Sequence, residues 1–171
     1  MHRIRCIIKR IRLYSWQFEN NISKDMRNNI EDLNKKNWRA KTITNTDYSR
    51  IVNRINDDIG KDHFSPNDLH SLYLLAANSK KNDSRSIPND VVTINSEIIL
   101  ICEKRIKRIV RIVFPQYMES DDDVSVYSPL GVACLGAREK DYVIVEQKGS
   151  VKRFIIDKIV FQPESERAYH L

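Results

Sequence analysis

The spacing of the apolar residues changes once along this 171-residue chain, and the change falls at Pro88. Before it, Tyr48, Ile51, Val52, Ile55 and Ile59 recur at the i, i+3, i+4, i+7, i+11 positions of one helix face. Thr44 stands as N-cap, with Asp47 three residues on in the place of a capping-box Glu, and Gly60 is the stop. Ser65-Pro66-Asn67-Asp68 opens a second helix, with Ser65 as N-cap and Pro66 at the first helical position. Its stripe is Leu69, Leu72, Tyr73 and Ala76. Two helices apolar on one face and joined by a short linker predict an antiparallel hairpin. The polar stretch 78–88 then reads as a linker and marks the domain boundary.

After Pro88 the period shortens. Residues 91–102 are rich in β-branched side chains. In residues 105–114, Ile106, Arg108, Val110, Ile112 and Phe114 fall on one parity, with Lys107 and Arg111 on the other. That alternation predicts a half-exposed antiparallel strand, entered through a tight turn at Glu103-Lys104. An acidic loop at 119–123 precedes a short strand at 124–126, and residues 129–135 predict a brief helix ended by Gly136. Residues 142–146 and 151–161 close the pattern as two strands joined around Lys148-Gly149-Ser150. The expected class is α+β: a short helical hairpin followed by an antiparallel β domain carrying one short helix. The expected units are an extension over 1–41, the hairpin over 42–80, a linker over 81–90, the β domain over 91–165 and a tail over 166–171.

The net charge of +6 invites a nucleic-acid reading only where the charge is concentrated. Residues 1–41 hold 11 Lys+Arg against 4 Asp+Glu, residues 42–90 hold 6 against 7, and residues 91–171 hold 12 against 12. The basicity is therefore an N-terminal arm. Ile4, Ile7, Ile8 and Ile11 lie there at helical spacing among Arg3, Arg5, Lys9, Arg10 and Arg12, a pattern that suits phosphates or a membrane surface. Residues 19–37 lack periodicity, and Met26 offers an alternative start, so the arm reads first as a poorly ordered extension and second as a nucleic-acid contact. The longest apolar run, Ile98-Ile99-Leu100-Ile101-Cys102, is far below the ~20 residues of a membrane span. Cys6, Cys102 and Cys134 form neither a disulfide framework nor a CxxC site, which points to a reducing, cytoplasmic setting.

No nucleotide fingerprint, hydrolase elbow or zinc-protease motif occurs. Asp57, Asp58 and Asp62 cluster at the expected hairpin tip, where converging carboxylates could hold Mg²⁺; the plainer reading is solvated residues of a last helical turn. The run Glu119, Asp121, Asp122, Asp123 reads as a solvated loop, and Cys102 and Cys134 as core residues. His63 and His70 have no partner at metal or triad spacing. The expectation is no cofactor and no resident metal.

The segment Val124-Ser-Val-Tyr-Ser-Pro-Leu-Gly-Val-Ala-Cys-Leu-Gly136 resembles the S-P-L-G-x-A-L-L-G signature of the C-terminal domain of Gre-type transcript-cleavage factors. The G-D-x-V-x-V and I-x-x-I-x-Y-Q-P segments that follow in that family have counterparts at residues 140–145 and 156–163, with Lys140 in the place of the Gly. Upstream, Pro88-Asn-Asp-Val-Val-Thr-Ile-Asn-Ser96 is similar to the opening of the Rnk branch, the regulator of nucleoside diphosphate kinase, as is the short helical pair. This resemblance implies an FKBP-like C-terminal domain and binding to bacterial RNA polymerase at its secondary channel. The docking loop it implies falls on Tyr127, Ser128, Pro129 and Leu130, with Tyr127 where Gre factors often carry Asp. Residues 43–60 span only about 25 Å as helix, and no D-x-x-E-N pattern occurs at the tip.

The function expected is therefore a non-enzymatic regulator, monomeric, that occupies the polymerase channel entrance and competes with longer factors. The alternatives are a cleavage stimulator using Asp57, Asp58 or Asp62 with Mg²⁺, a nucleic-acid binder through residues 1–41, and a prolyl isomerase suggested by the implied fold alone.

Overall fold

β-Branched side chains after Pro88 build a curled, mostly antiparallel sheet, and the residues before it supply two of the three α-helices among the described residues, which share its core. The computed structural model describes residues 41–58, 65–102, 106–147 and 150–169, which lie in one unit spanning 39–171. The arm over 1–40, Met26, the stop at Gly60, Asp62, His63 and the turns at 103–105 and 148–149 lie outside the described residues.

The chain order is β1 (Thr42–Thr44), α1 (Asn45–Asp58), α2 (Pro66–Asn78), β2 (Lys80–Asn82), β3 (Glu97–Cys102) and β4 (Lys107–Val113), continuing with β5 (Asp123–Ser125), α3 (Pro129–Cys134), β6 (Tyr142–Gln147) and β7 (Ser150–Phe161). The five-stranded sheet runs β5-β4-β3-β7-β6. Ile98, Leu100, Val110, Ile112 and Ile156 point inward to meet Ile51, Ile55, Leu72 and Ala76 of the helices in one core. Two register shifts between β3 and β7, at Glu97/Ile98 and Ile99/Leu100, add local twist and help the sheet curl.

Helix α1 starts as the spacing predicts, with the Asp47 amide donating to Thr44 Oγ1 at 2.8 Å. Its buried stripe is Asp47, Ile51, Ile55 and Asp58, an apolar pair bracketed by two carboxylates. Helix α2 has Pro66 at its start, but the Ser65 side chain makes no cap; the Ser65 carbonyl receives the Asp68 and Leu69 amides instead.

Three expectations are corrected. The stretch read as a linker contains β2, which pairs in parallel with β1, Thr42 opposite Lys80 and Thr44 opposite Asn82. A parallel pair needs a crossover between its strands, and α1 and α2 supply it. The sheet is not wholly antiparallel, because β4 and β5 run parallel, Arg111 opposite Asp123. Pro115, with no amide hydrogen, cannot extend the ladder, and the single 3₁₀ turn Pro115–Tyr117 leads the chain around rather than straight back. Residues 91–96 are not strand: Val91, Val92 and Ile94 are buried in a turn. There Asn95 takes φ +68°, Ser96 Oγ receives the Thr93 amide at 3.0 Å, and Thr93 Oγ1 donates to Glu164 at 2.7 Å. An apolar β-branched run can fill a core without joining a ladder.

Asp47 ties α1 to that turn by accepting the Ile94 amide at 3.3 Å. Burial first, then nearby Glu164, pushes its carboxyl up from 3.8 to about 7, against the smaller pull of Arg50. Between those values the folded protein holds a proton that the unfolded chain releases, so stability falls as pH rises from about 4 to about 7. Asp47→Asn, which keeps an oxygen for Ile94, is expected to flatten that slope. Urea unfolding across the range should show the wild type losing on the order of 3 kcal/mol that the variant does not.

Candidate docking site

The chain leaves β5 at Ser125 and turns into α3 through residues 126–128, the corner that the SPLG pattern spells. Ser128 organises it: its hydroxyl donates to the Ser125 carbonyl at 2.7 Å and receives the Gly131 amide at 3.1 Å, capping α3. Pro129 occupies the first turn, where no amide hydrogen is needed. Gly131 lets the helix lie against β5, since a Cβ there would stand 2.1 Å from the Ser125 carbonyl oxygen. Gly136, at φ +74°, ends the helix as predicted. Ser128, Pro129 and Leu130 are half-buried at this corner.

Tyr127 points the other way. Its ring is 4% exposed, packs edge-on against Phe114 at 6.4 Å, and sends its hydroxyl to Asp58 Oδ2 at 2.7 Å. Asp58 is fully buried and also receives Arg54 Nε at 3.1 Å. Burial, then the Asp58 carboxylate, holds the Tyr127 phenol well above the ordinary tyrosine range. Of the four residues the resemblance assigns to docking, Tyr127 thus acts inside the fold and three lie at the corner. Of the three acids assigned to the tip, Asp58 is turned into the core and Asp57 faces a neighbouring cleft. Among the described residues no group of three His, Cys, Asp or Glu side chains could hold a metal ion.

That cleft, about 680 Å³, lies between α1 and the end of β4. Arg50, Asn53, Arg54 and Asp57 line its helical wall; Phe114, Gln116 and Tyr117 line the other, and Tyr117 is exposed at the rim. It backs onto the corner through Phe114 and Arg54, the groups that hold Tyr127 and Asp58. Across it, Arg111 grips Asp123 with Nε at 2.8 Å and Nη2 at 3.0 Å, while the Glu119 and Ser120 amides donate to the same carboxylate at 2.6 and 2.9 Å. The Arg111 guanidinium, helped by those amides, holds Asp123 well below the usual carboxylate range. The acidic run is therefore not uniformly solvated: Glu119, Asp121 and Asp122 are exposed, but Asp123 is buried, and the bonds it accepts from Arg111 and the loop amides offset its burial and order the loop.

Sequence reasoning missed the inward turn of Tyr127 and Asp58. The signal was present, because Asp58 sits eleven residues after Asp47 on the stripe of Ile51 and Ile55. Nothing in the spacing joined Arg111 to Asp123, or Lys41 to α3. Lys140 stands at φ +68°, the left-handed conformation that suits the Gly it replaces in the Gre pattern. Its ammonium bonds Asp157, which Lys107 also meets at 2.8 Å.

Residues 87–160 match the family described as transcription elongation factor, GreA/GreB, C-term. A solved structure titled prokaryotic transcription elongation factor GreA/GreB from Nitrosomonas europaea is similar to this chain at 23% identity and a TM-score of 0.58, covering 72% of this chain and 100% of its own. The GreA factor homolog 1 (Gfh1) of Thermus thermophilus aligns at 15% identity and a TM-score of 0.38, over 72% of this chain and 100% of its own. None of the curated proteins matches the chain. The fold is that of the Gre relative. No described helix is long and apolar enough to cross a membrane.

Two substitutions test this construction. Tyr127→Phe keeps the ring and leaves the buried Asp58 carboxylate one donor short, which should cost about 2 kcal/mol in chemical unfolding. Gly131→Ala must push α3 off the Ser125 carbonyl; a loss of about 1–3 kcal/mol is expected by the same measurement.

Proposed function

We propose that this protein is a non-enzymatic regulator of transcription that docks on bacterial RNA polymerase near its secondary channel and competes there with longer Gre-type factors. The observation that carries the reading is the GreA/GreB C-terminal match over 87–160, with the corner at Ser128, Pro129 and Leu130 within it. On this reading the C-terminal part is FKBP-like, and α1 and α2 form a short antiparallel hairpin of the Rnk kind. The protein works as a monomer in the cytoplasm. The corner is suited to docking: a capped turn on a helix pinned to the sheet by Gly131 loses little freedom on binding.

Two features favour occupation of the channel over stimulation of cleavage. Helix α1 has 14 residues, about 21 Å at 1.5 Å per residue, a short reach. Asp58 accepts hydrogen bonds from Tyr127 and Arg54, so its carboxylate serves the fold rather than a metal at an RNA end.

Titration of the full chain against bacterial RNA polymerase core tests the reading. Saturable binding is expected, weakened at least tenfold by Ser128→Glu with Pro129→Ala, and a Gre factor should displace it. In stalled elongation complexes the protein should leave RNA cleavage no faster than polymerase alone. Acceleration lost on Asp57→Asn would replace this reading with the cleavage-stimulator one. Salt-sensitive RNA or DNA binding that disappears without residues 1–41 would favour the arm instead.

A further inference from the structure

A helix as short as α3 has more backbone acceptors at its end than its own amides can meet. The Leu135 amide bonds Gly131, and the Gly136 amide leaves the helix for Val92. The Val132, Ala133 and Leu135 carbonyls are met by one group from far away in sequence. Lys41 Nζ donates to them at 2.9, 2.7 and 3.1 Å.

The stem that delivers this ammonium is itself fixed. The Lys41 carbonyl receives the Lys80 amide at 2.8 Å, and the next amide, from Thr42, donates to Gly136 at 3.1 Å. Lys41 thus sits where β1, β2 and the end of α3 meet, immediately before the helices. A cation at a helix carboxyl terminus is favourable twice, by its hydrogen bonds and by the helix dipole. Only six residues separate that end from the Ser128 corner, so tilt or fraying at Lys41 reaches the corner undamped.

We propose that Lys41 is the positioning residue of the docking corner: its ammonium locks the carboxyl-terminal end of α3 and so presets Ser128, Pro129 and Leu130 for the partner. The proposal rests on the polymerase reading above for its function, though not for its geometry. An ammonium offers three hydrogens to three part-buried carbonyls; the neutral amine offers two and leaves one of these oxygens unmet, so the lock loosens when the proton leaves. Burial brings that event down from 10.5 to about 8, opposed by the Asp141 carboxylate ahead of β6, while Cys134 on α3, its thiol pushed up to about 12 by burial, carries no charge in this range.

The test pairs polymerase binding with amide hydrogen exchange on the full chain. Lys41→Met keeps the stem and removes the donors. It should weaken binding about tenfold at pH 7 and raise exchange at Val132 and Leu135 about tenfold, with the amides of β3 and β7 unchanged. Wild-type affinity should decline from pH 7 to pH 9. Lys41→Arg, which cannot lose its charge in that range, should show no such decline and so separates Lys41 from titrations of the polymerase. If Lys41→Met does not fold, the pH comparison of wild type and Lys41→Arg decides alone. Affinity and α3 exchange both at wild-type values in Lys41→Met, equal loosening of the whole sheet, or parallel pH profiles for wild type and Lys41→Arg would each overturn the proposal. If the wild type binds no polymerase at any pH, the functional reading falls; unchanged exchange at α3 would then overturn the lock separately.

Discussion

One hydrogen bond, from a phenol to a carboxylate with both groups out of water, joins the helical and sheet-bearing parts of this protein. Asp58 ends α1 and Tyr127 opens the turn into α3, and neither could be buried alone without a loss of several kcal/mol. Their pairing lets the end of a helix and the corner at Ser128 be built as one piece. Phe114 packs edge-on against the same tyrosine and Arg54 neutralises the same aspartate, so the wall of the cleft depends on this contact too.

Much of the fold can be read in the sequence, because periodicity reports which face of an element is dry. The helices of residues 45–58 and 66–78, the strand pairs, and the short helix between Pro129 and Gly136 follow from spacing, caps and a left-handed glycine. What stays hidden is set by distant partners. Lys80, Lys81 and Asn82 look like linker because nothing local marks them as strand; Thr42, Ile43 and Thr44 make them one. Val91, Val92 and Ile94 look like strand because the turn holding them is closed by Ser96, Glu164 and Asp47, two of them far off in the chain.

The candidate site divides along the same line. Ser128 and Pro129 announce a helix start by local chemistry, and the structure uses them that way. Tyr127 and Asp58 carry polar groups that read as surface until each supplies what the other lacks. Asp123 is comparable: inside an acidic run it reads as solvated, yet a bidentate arginine and two amides make it the organising anion of the loop. Among the described residues the buried carboxylates do two things: Asp47 and Asp58 tie an apolar helix to its neighbours, and Asp123 fixes a loop that has no apolar residues of its own.

The parallel pairing of β1 with β2 has a consequence for how such a protein can change. Because β1 and β2 lie side by side, the chain between Thr44 and Lys80 leaves and returns at neighbouring strands, and its helices are held along the way by the shared core and by the contact of Asp58 with Tyr127. Closing a longer excursion costs only slightly more entropy, since the cost grows with the logarithm of its length. Residues added between Asp58 and Pro66 would therefore lengthen the connection at small cost while leaving the β1–β2 pair, the Asp58–Tyr127 contact and the cleft wall in place. The length of that connection is thus set independently of the strand pair that closes it.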